Sequence, residues 1–282
     1  MGINHTHLVS KKLFPYEGAK SNMVKTILPL IPVHKVYLEL FAGSAVVYFS
    51  KPLVDVNVIN DKQSLILNFY KCAKLQPNKL IRRIDTLMHA EYYFQWAKEV
   101  LADDNAKAMD KAVAFWALGV MQKKNTDCYE ISINKQKGVV REGRNCKMLN
   151  KAKRSLKESI DKLKSCQVLN RDFRDCLKLF KTSKDLFIYI DPPYINTTQG
   201  THYSPFSEAD YIELLDYLST TNHKFMLSSY PNDILAEYIA RNNWEVRQYT
   251  KALSAGGVKH GAKRKTKTEL LVMNYKINDL FS

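Results

Sequence analysis

Leu186-Phe187-Ile188-Tyr189-Ile190 runs directly into Asp191-Pro192-Pro193-Tyr194. Five consecutive apolar or aromatic residues predict a strand buried on both faces, the kind found inside a parallel sheet. In open α/β sheets, ligands bind beyond the carboxyl ends of the strands, and Asp191 stands at such an end. Two prolines fix φ and donate no backbone hydrogen bonds, so they hold a rigid turn with its carbonyls turned outward. The Asp191 carboxylate and the Pro192 carbonyl can accept both hydrogens of an exocyclic amine, while Tyr194 stacks on its ring. The lone pair of an aromatic amine is delocalised. Acceptors on both hydrogens favour a tetrahedral nitrogen that can attack a methyl group, and these bonds strengthen towards the transition state. An ordinary proline-rich turn can carry the same four residues; their place after an apolar strand favours the site.

Upstream, Val36 to Phe41 is β-prone and stops at Ala42-Gly43-Ser44, after which apolar residues continue to Lys51-Pro52. This predicts strand, small-residue turn and short helix. Gly43 permits close approach of backbone to a ligand, and the helix start offers free N–H donors. The loop is neither G-x-G-x-x-G nor a P-loop. A second strand over residues 56–60 ends at Asp61, and a helix follows with Leu65, Ile66, Phe69 and Tyr70 on one face. An acid at that strand end is placed for ribose hydroxyls, and it also serves as a helix N-cap. Strand–helix–strand order predicts a parallel sheet. Residues 66–122 read as successive helices broken at Pro77. Residues 123–147 are polar and basic, with a candidate hairpin from Tyr129 to Val140, and residues 150–163 form a basic amphipathic helix. The β/α rhythm resumes with strands at residues 166–170, 186–190, 224–228, 244–249 and 269–275. Helices lie between them at 207–219, capped by Ser207, and at 233–241.

The chain has 282 residues and a net charge of +15. Residues 121–165 hold 13 Lys and Arg against 5 Asp and Glu, and residues 251–267 hold 6 with no acid. Nearly all of the excess charge therefore sits in two stretches, which points to phosphate-contacting surfaces and a nucleic-acid partner. Lys123, Lys124, Lys135, Lys137, Arg141, Arg144, Lys151, Lys263 and Arg264 are the candidate contacts. The five cysteines, Cys72, Cys128, Cys146, Cys166 and Cys176, form no C-x-x-C pair, which argues against a disulfide framework or zinc site. No apolar run reaches the ~20 residues of a membrane span, and the N-terminus lacks a signal-peptide core. A soluble, cytoplasmic protein without a metal is expected.

Together these residues resemble the Dam-type DNA adenine methyltransferases of bacteria and phages, over roughly residues 12–70 and 165–276. Pro15-Tyr16-Glu17-Gly18-Ala19-Lys20 looks like the family's N-terminal cofactor motif. Phe41-Ala42-Gly43-Ser44-Ala45 is similar to its F-x-G-x-G loop, and Asn170-Arg171-Asp172-Phe173 to the motif that holds the cofactor's adenine. Asp191 to Tyr194 match the catalytic tetrapeptide. Residues 227–229 and 264–271 look like the later strands. The resemblance implies a Rossmann-like, S-adenosylmethionine-dependent methyltransferase sheet from residues 1–65 and 164–282, with a mainly helical DNA target-recognition insert at 66–163. It implies Asp191, Pro192, Pro193 and Tyr194 as the catalytic group. It implies Tyr16, Lys20, Phe41, Gly43, Ser44, Asp61, Asp172, Phe173 and Asp191 as contacts to S-adenosyl-L-methionine. Double-stranded DNA is the implied substrate, with a flipped adenine, and a cognate restriction enzyme is a candidate partner. Ala45 departs from the family's second glycine, Tyr16-Glu17 from a common Trp-Ala, and residues 122–146 lack the family's Asn-Arg-rich signature. Cytosine N4, an RNA substrate and a catalytically silent nucleic-acid binder remain alternative readings of these residues.

Overall fold

Strand β4 (Leu186–Ile190) is buried along its whole length and lies at the centre of a seven-stranded sheet in the computed structural model, which describes residues 11–16, 18–123, 126–129, 144–195, 206–252 and 266–277. The strand order is β3-β2-β1-β4-β5-β7-β6, with β1 Val36–Glu39, β2 Val56–Asn60, β3 Gln167–Leu169, β5 Lys224–Ser229, β6 Glu245–Ala252 and β7 Thr266–Met273. The first five strands of that order are parallel, and β7 runs antiparallel between β5 and β6. The chain builds outward from β1 through β2 to β3, then returns to lay β4 on the other side of β1. The crevice beyond the ends of β1 and β4 is thus the topological switch point, where open α/β sheets bind ligands.

Period-two alternation sorts the side chains into two layers. Tyr37, Ile59, Phe187, Tyr189 and Met226 face one core, and Leu38, Val58, Ile188, Ile190 and Leu227 face the other. The second face is covered by α8 (Phe173–Leu179), α9 (Glu208–Thr220) and α10 (Asp233–Asn242). The first is covered by α1 (Val24–Ile27), α2 (Val46–Ser50), α3 (Ser64–Leu75), α4 (Pro77–Asp85), α5 (Glu91–Ala102), α6 (Ala108–Met121) and α7 (Arg144–Ile160), all of which contribute to one continuous core. Most expected elements fall within a residue or two of their observed bounds, including the Ser207–Asp210 capping box of α9. Several expectations shift. Strand β6 runs on to Ala252 and β7 begins at Thr266, and α3 starts at Ser64 with Gln63 at its N-cap, so Asp61 bonds the Gln63 N–H ahead of the helix and does not cap it. The α3 face is Ile66, Phe69, Tyr70 and Ala73; Leu65 is partly exposed, because adjacent helical residues stand about 100° apart. Helix α7 begins at Arg144, not 150, and gives way to a tight turn over Asp161–Ser165. Most of the candidate hairpin lies outside the described residues.

Two features of this packing set the site. Residues 13–16 wedge against α6: Phe14 packs on Phe69, Tyr70 and Phe115, and the Trp116 indole N–H donates to the Leu13 carbonyl at 3.1 Å. Gly119 makes this approach possible, since a Cβ there would stand 2.7 Å from the Pro15 carbonyl oxygen. Glu39, buried at the end of β1, accepts from the Tyr37 hydroxyl and from the Tyr48 backbone N–H in α2, both at 2.8 Å. It therefore clamps the two ends of the small-residue loop and satisfies a free donor of the helix start.

Burial pushes the Glu39 carboxyl from its ordinary 4.5 up to about 8, against the pull of these hydrogen bonds. The folded chain holds a proton there that the unfolded chain has released, so this group's contribution to stability falls as pH rises from 4.5 to about 8. Glu39→Gln keeps an acceptor oxygen but cannot ionise. Urea denaturation is expected to show a flatter loss of stability over that window in the variant than in the parent. Equal slopes would show that Glu39 does not titrate there.

Candidate active site

The loop after β1 is held from three sides. Asp61, just past β2, accepts the Gly43 N–H at 2.8 Å and the Gln63 N–H at 2.9 Å. The Tyr70 hydroxyl donates to the Gly43 carbonyl at 2.8 Å. The Tyr16 ring covers Gly43 so closely that a Cβ would lie 2.9 Å from it, and the Tyr16 hydroxyl donates to Gln63 Oε1 at 3.3 Å. Gly43 takes φ +48°, a left-handed value that suits glycine. Ala45 also lies there, at φ 47° and ψ 41°, as the residue before α2, with its methyl group fully buried. Ser44 is buried too.

Asn60 ties three strand ends together. Its amide donates to the Leu40 carbonyl at 3.0 Å and the Arg171 carbonyl at 3.1 Å, and its oxygen accepts the Arg171 N–H at 3.0 Å. Asn170 adds a bond to the Asp61 carbonyl at 2.7 Å. The loops carrying Phe41 and Gly43, Asp61, and Asp172 and Phe173 are thereby brought side by side. Phe41, Phe173 and Phe206 form an aromatic group with centroids 5.6–6.0 Å apart. Asp172 caps α8, accepting the Arg174 N–H, and pairs with Lys62 at 3.0 Å. Burial alone would raise its carboxyl; the bonds from Lys62 and Arg174 outweigh this and hold it below the usual carboxylate range.

Beyond β4, Lys20 lies against Asp191. Its Nζ is 2.6 and 2.8 Å from the two carboxylate oxygens and 3.1 Å from Glu269 Oε1, with 7% of the side chain exposed. Glu269, in β7, gathers two more donors on that oxygen: the Tyr194 hydroxyl at 2.7 Å and the Ser228 hydroxyl at 2.8 Å. Tyr194 also reaches Asp191 Oδ1 at 3.1 Å and packs on Tyr230 with centroids 4.1 Å apart. Burial works against the charge on Lys20, but Asp191 and Glu269 outweigh it and raise the ammonium's pKa. Burial likewise raises Asp191, with Lys20 pulling the other way. One cation between two anions leaves a site that favours positive charge developing on a bound group.

At this one edge of the sheet stand a clamped glycine loop, an acid after β2, an acid and aromatic after β3, and a carboxylate–proline–proline–tyrosine turn after β4. Residues 16–253 match the D12 class N6 adenine-specific DNA methyltransferase family. The chain belongs to that family. It is also similar to the Type II methyltransferase M1.LlaDCHI of Lactococcus lactis subsp. cremoris, at 26% identity over 279 residues that cover 92% of this chain and 94% of the relative. The protein is thus an adenine-specific DNA methyltransferase, which takes DNA as substrate and requires a methyl donor. The seven-stranded mixed sheet agrees with the Rossmann-like architecture expected from the sequence. Among the described residues, no helix is long and apolar enough to cross a membrane.

Of the candidate DNA contacts, Lys123 and Lys151 are exposed, Arg144 opens α7, and Lys124, Lys135, Lys137, Arg141, Lys263 and Arg264 lie outside the described residues. Several other basic residues of the central stretch have structural partners. Lys153 donates to the carbonyls of Asp85 and Leu87, Lys157 pairs with Asp85, and Lys162 donates to the carbonyls of Phe49 and Lys51. Sequence reading assigned no site role to Asn60, Phe206, Ser228, Tyr230 or Glu269. The one available signal for Glu269 was a lone acid between a basic run and an apolar strand.

Asn60→Ala leaves the Leu40 and Arg171 backbone groups without their partner, at about 1–3 kcal/mol for each buried group left unpaired. Stability in urea should fall by roughly 2 kcal/mol or more, with methyl-donor affinity falling as the strand ends separate. A variant as stable as the parent, binding the donor equally well, would refute the staple.

Proposed function

We propose that the protein uses S-adenosylmethionine to methylate a flipped adenine within a specific DNA sequence, with Asp191 and Tyr194 at the reacting amine. The observation that carries this reading is the partly buried carboxylate of Asp191, held against the buried Lys20 ammonium at the switch point of the sheet, next to the clamped Gly43 loop. The residues fit the donor. Asp61 keeps lone pairs for ribose hydroxyls after accepting two backbone N–H groups. Phe41 and Phe173 offer an apolar wall for a purine, and Tyr16 lies over the loop. When bound, S-adenosylmethionine supplies an electrophilic methyl group on a sulfonium.

The chain's own residues do the rest. A target adenine leaves the stack at a cost of a few kcal/mol. Tyr194 stacks on its ring, and Asp191 and the Pro192 carbonyl accept the hydrogens of its N6 amine. Their negative character opposes the positive charge that develops on that nitrogen during attack. Lys20 favours the ionised form of Asp191, against the opposing effect of burial. Residues 66–163 form the target-recognition insert, with Lys123, Arg144, Lys151 and the basic stretch around Lys263 and Arg264 contacting phosphates. The lactococcal relative is named a Type II methyltransferase, which supports a host role alongside a restriction enzyme.

Asp191→Ala leaves buried Lys20 with Glu269 as its one remaining carboxylate, so the melting temperature should fall, and methyl transfer by the folded variant should be lower by about a hundredfold or more. Tritium transfer to duplex DNA measures this, and substantial residual activity would remove Asp191 from the chemistry. Modified-base sequencing of a methylation-deficient host expressing the protein should reveal one methyladenine motif. For the phosphate surface, Lys151→Ala should reduce the slope of log affinity against log salt by about one; an unchanged slope would exclude Lys151 as a phosphate contact.

A further inference from the structure

We propose that Glu269 is a positioning residue for methyl transfer: by drawing the Tyr194 hydroxyl and part of the Lys20 charge onto itself, it keeps acceptor capacity on Asp191 free for the target amine. This inference rests on the proposed roles of Asp191 and Tyr194. The Tyr194 hydroxyl carries one proton and faces two carboxylates. It lies 2.7 Å from Glu269 Oε1 and 3.1 Å from Asp191 Oδ1, so the proton goes to Glu269. Lys20 is shared in the same way, with its shorter contacts on Asp191. Asp191 must still accept from a substrate. An ionised carboxylate has about four lone-pair sites, and Lys20 already addresses both oxygens.

Without the Glu269 carboxylate, the nearest carboxylate for the Tyr194 hydroxyl is Asp191 Oδ1. Moving there would place a second donor on an oxygen that Lys20 occupies, in competition with the amine. It would also rotate the Tyr194 ring, whose position is fixed at the hydroxyl by Glu269 and Ser228 and along its face by Tyr230. Glu269 itself is set by the register of the sheet: β7 pairs with β5, so that the Ser228 hydroxyl of β5 donates to Glu269 Oε1 at 2.8 Å. The last strand in the chain thereby holds the turn after β4.

The test uses the full chain in four forms besides the parent: Glu269→Ala, Glu269→Gln, Tyr194→Phe, and Glu269→Ala combined with Tyr194→Phe. Single-turnover methyl transfer to an adenine-containing duplex, donor affinity and thermal unfolding are read for each. Glu269→Ala should slow transfer about tenfold to a hundredfold with donor affinity little changed. Glu269→Gln, which still accepts from Tyr194, should recover most of that rate. In the Tyr194→Phe background no hydroxyl remains to migrate, so the loss from Glu269→Ala should shrink. An unimpaired Glu269→Ala, or the same loss with and without the hydroxyl, overturns the proposal; should that variant fail to fold, a Glu269→Gln rate as low as that of Asp191→Ala does so instead. An active parent with an insensitive Glu269→Ala rejects the role of Glu269 alone. Retained transfer in Asp191→Ala rejects the reading on which it rests.

Discussion

The ammonium group of Lys20 sits between the carboxylates of Asp191 and Glu269 with almost no access to water. Removing one partner from such a buried pair costs roughly 3–5 kcal/mol, because the group left behind is charged and unsolvated. The three residues come from the N-terminal segment, the turn after β4 and the penultimate strand position of the sheet, β7. Their attraction therefore fixes how three distant pieces of chain meet. Phe14 and the Trp116–Leu13 bond deliver the N-terminal segment to that meeting point, and Gly119 leaves room for it. The approach of Tyr16 to the Gly43 loop follows from the same anchoring.

The small-residue loop shows how strain is distributed around the site. Ala45 adopts a left-handed conformation that costs an L-residue about 1–2 kcal/mol, where the resembling family carries a glycine. The surroundings hold it there. Glu39 clamps β1 to the first turn of α2, Asp61 and Tyr70 hold Gly43 by both its N–H and its carbonyl, and the Ala45 methyl group is enclosed by the core. The departure at Ala45 leaves the strand–turn–helix geometry in place.

Charge serves two purposes in this chain. Lys153 and Lys162 spend their donors on backbone carbonyls at the ends of α4 and α2, and Lys157 pairs with Asp85. Lys147, Lys151 and Arg154 face solvent on the outer side of α7. A surplus of +15 thus overstates the number of cations open to phosphate. Lys and Arg have identical formal charge whether they cap a helix or face water, so composition cannot separate the two uses.

Local pattern alone determined much of this protein. The all-apolar β4, the Gly43 turn after β1 and the Ser207 cap of α9 are set by short-range propensity and periodicity, and each lies within a residue or two of its expected bounds. The Asp191-Pro192-Pro193-Tyr194 turn was legible for the same reason: its chemistry is contiguous. Tertiary structure decided the rest. Glu269 and Lys20 are separated from Asp191 by 78 and 171 positions in the sequence. Only the crossing from β3 back to β4, and the antiparallel placement of β7 beside β5, bring them together. Asn60 was equally silent, because a polar residue ending a strand gains meaning only when three loops converge on it. The Asp191 turn marks where a reacting amine is expected; the contacts that hold its tyrosine and share its lysine are long-range and belong to the sheet.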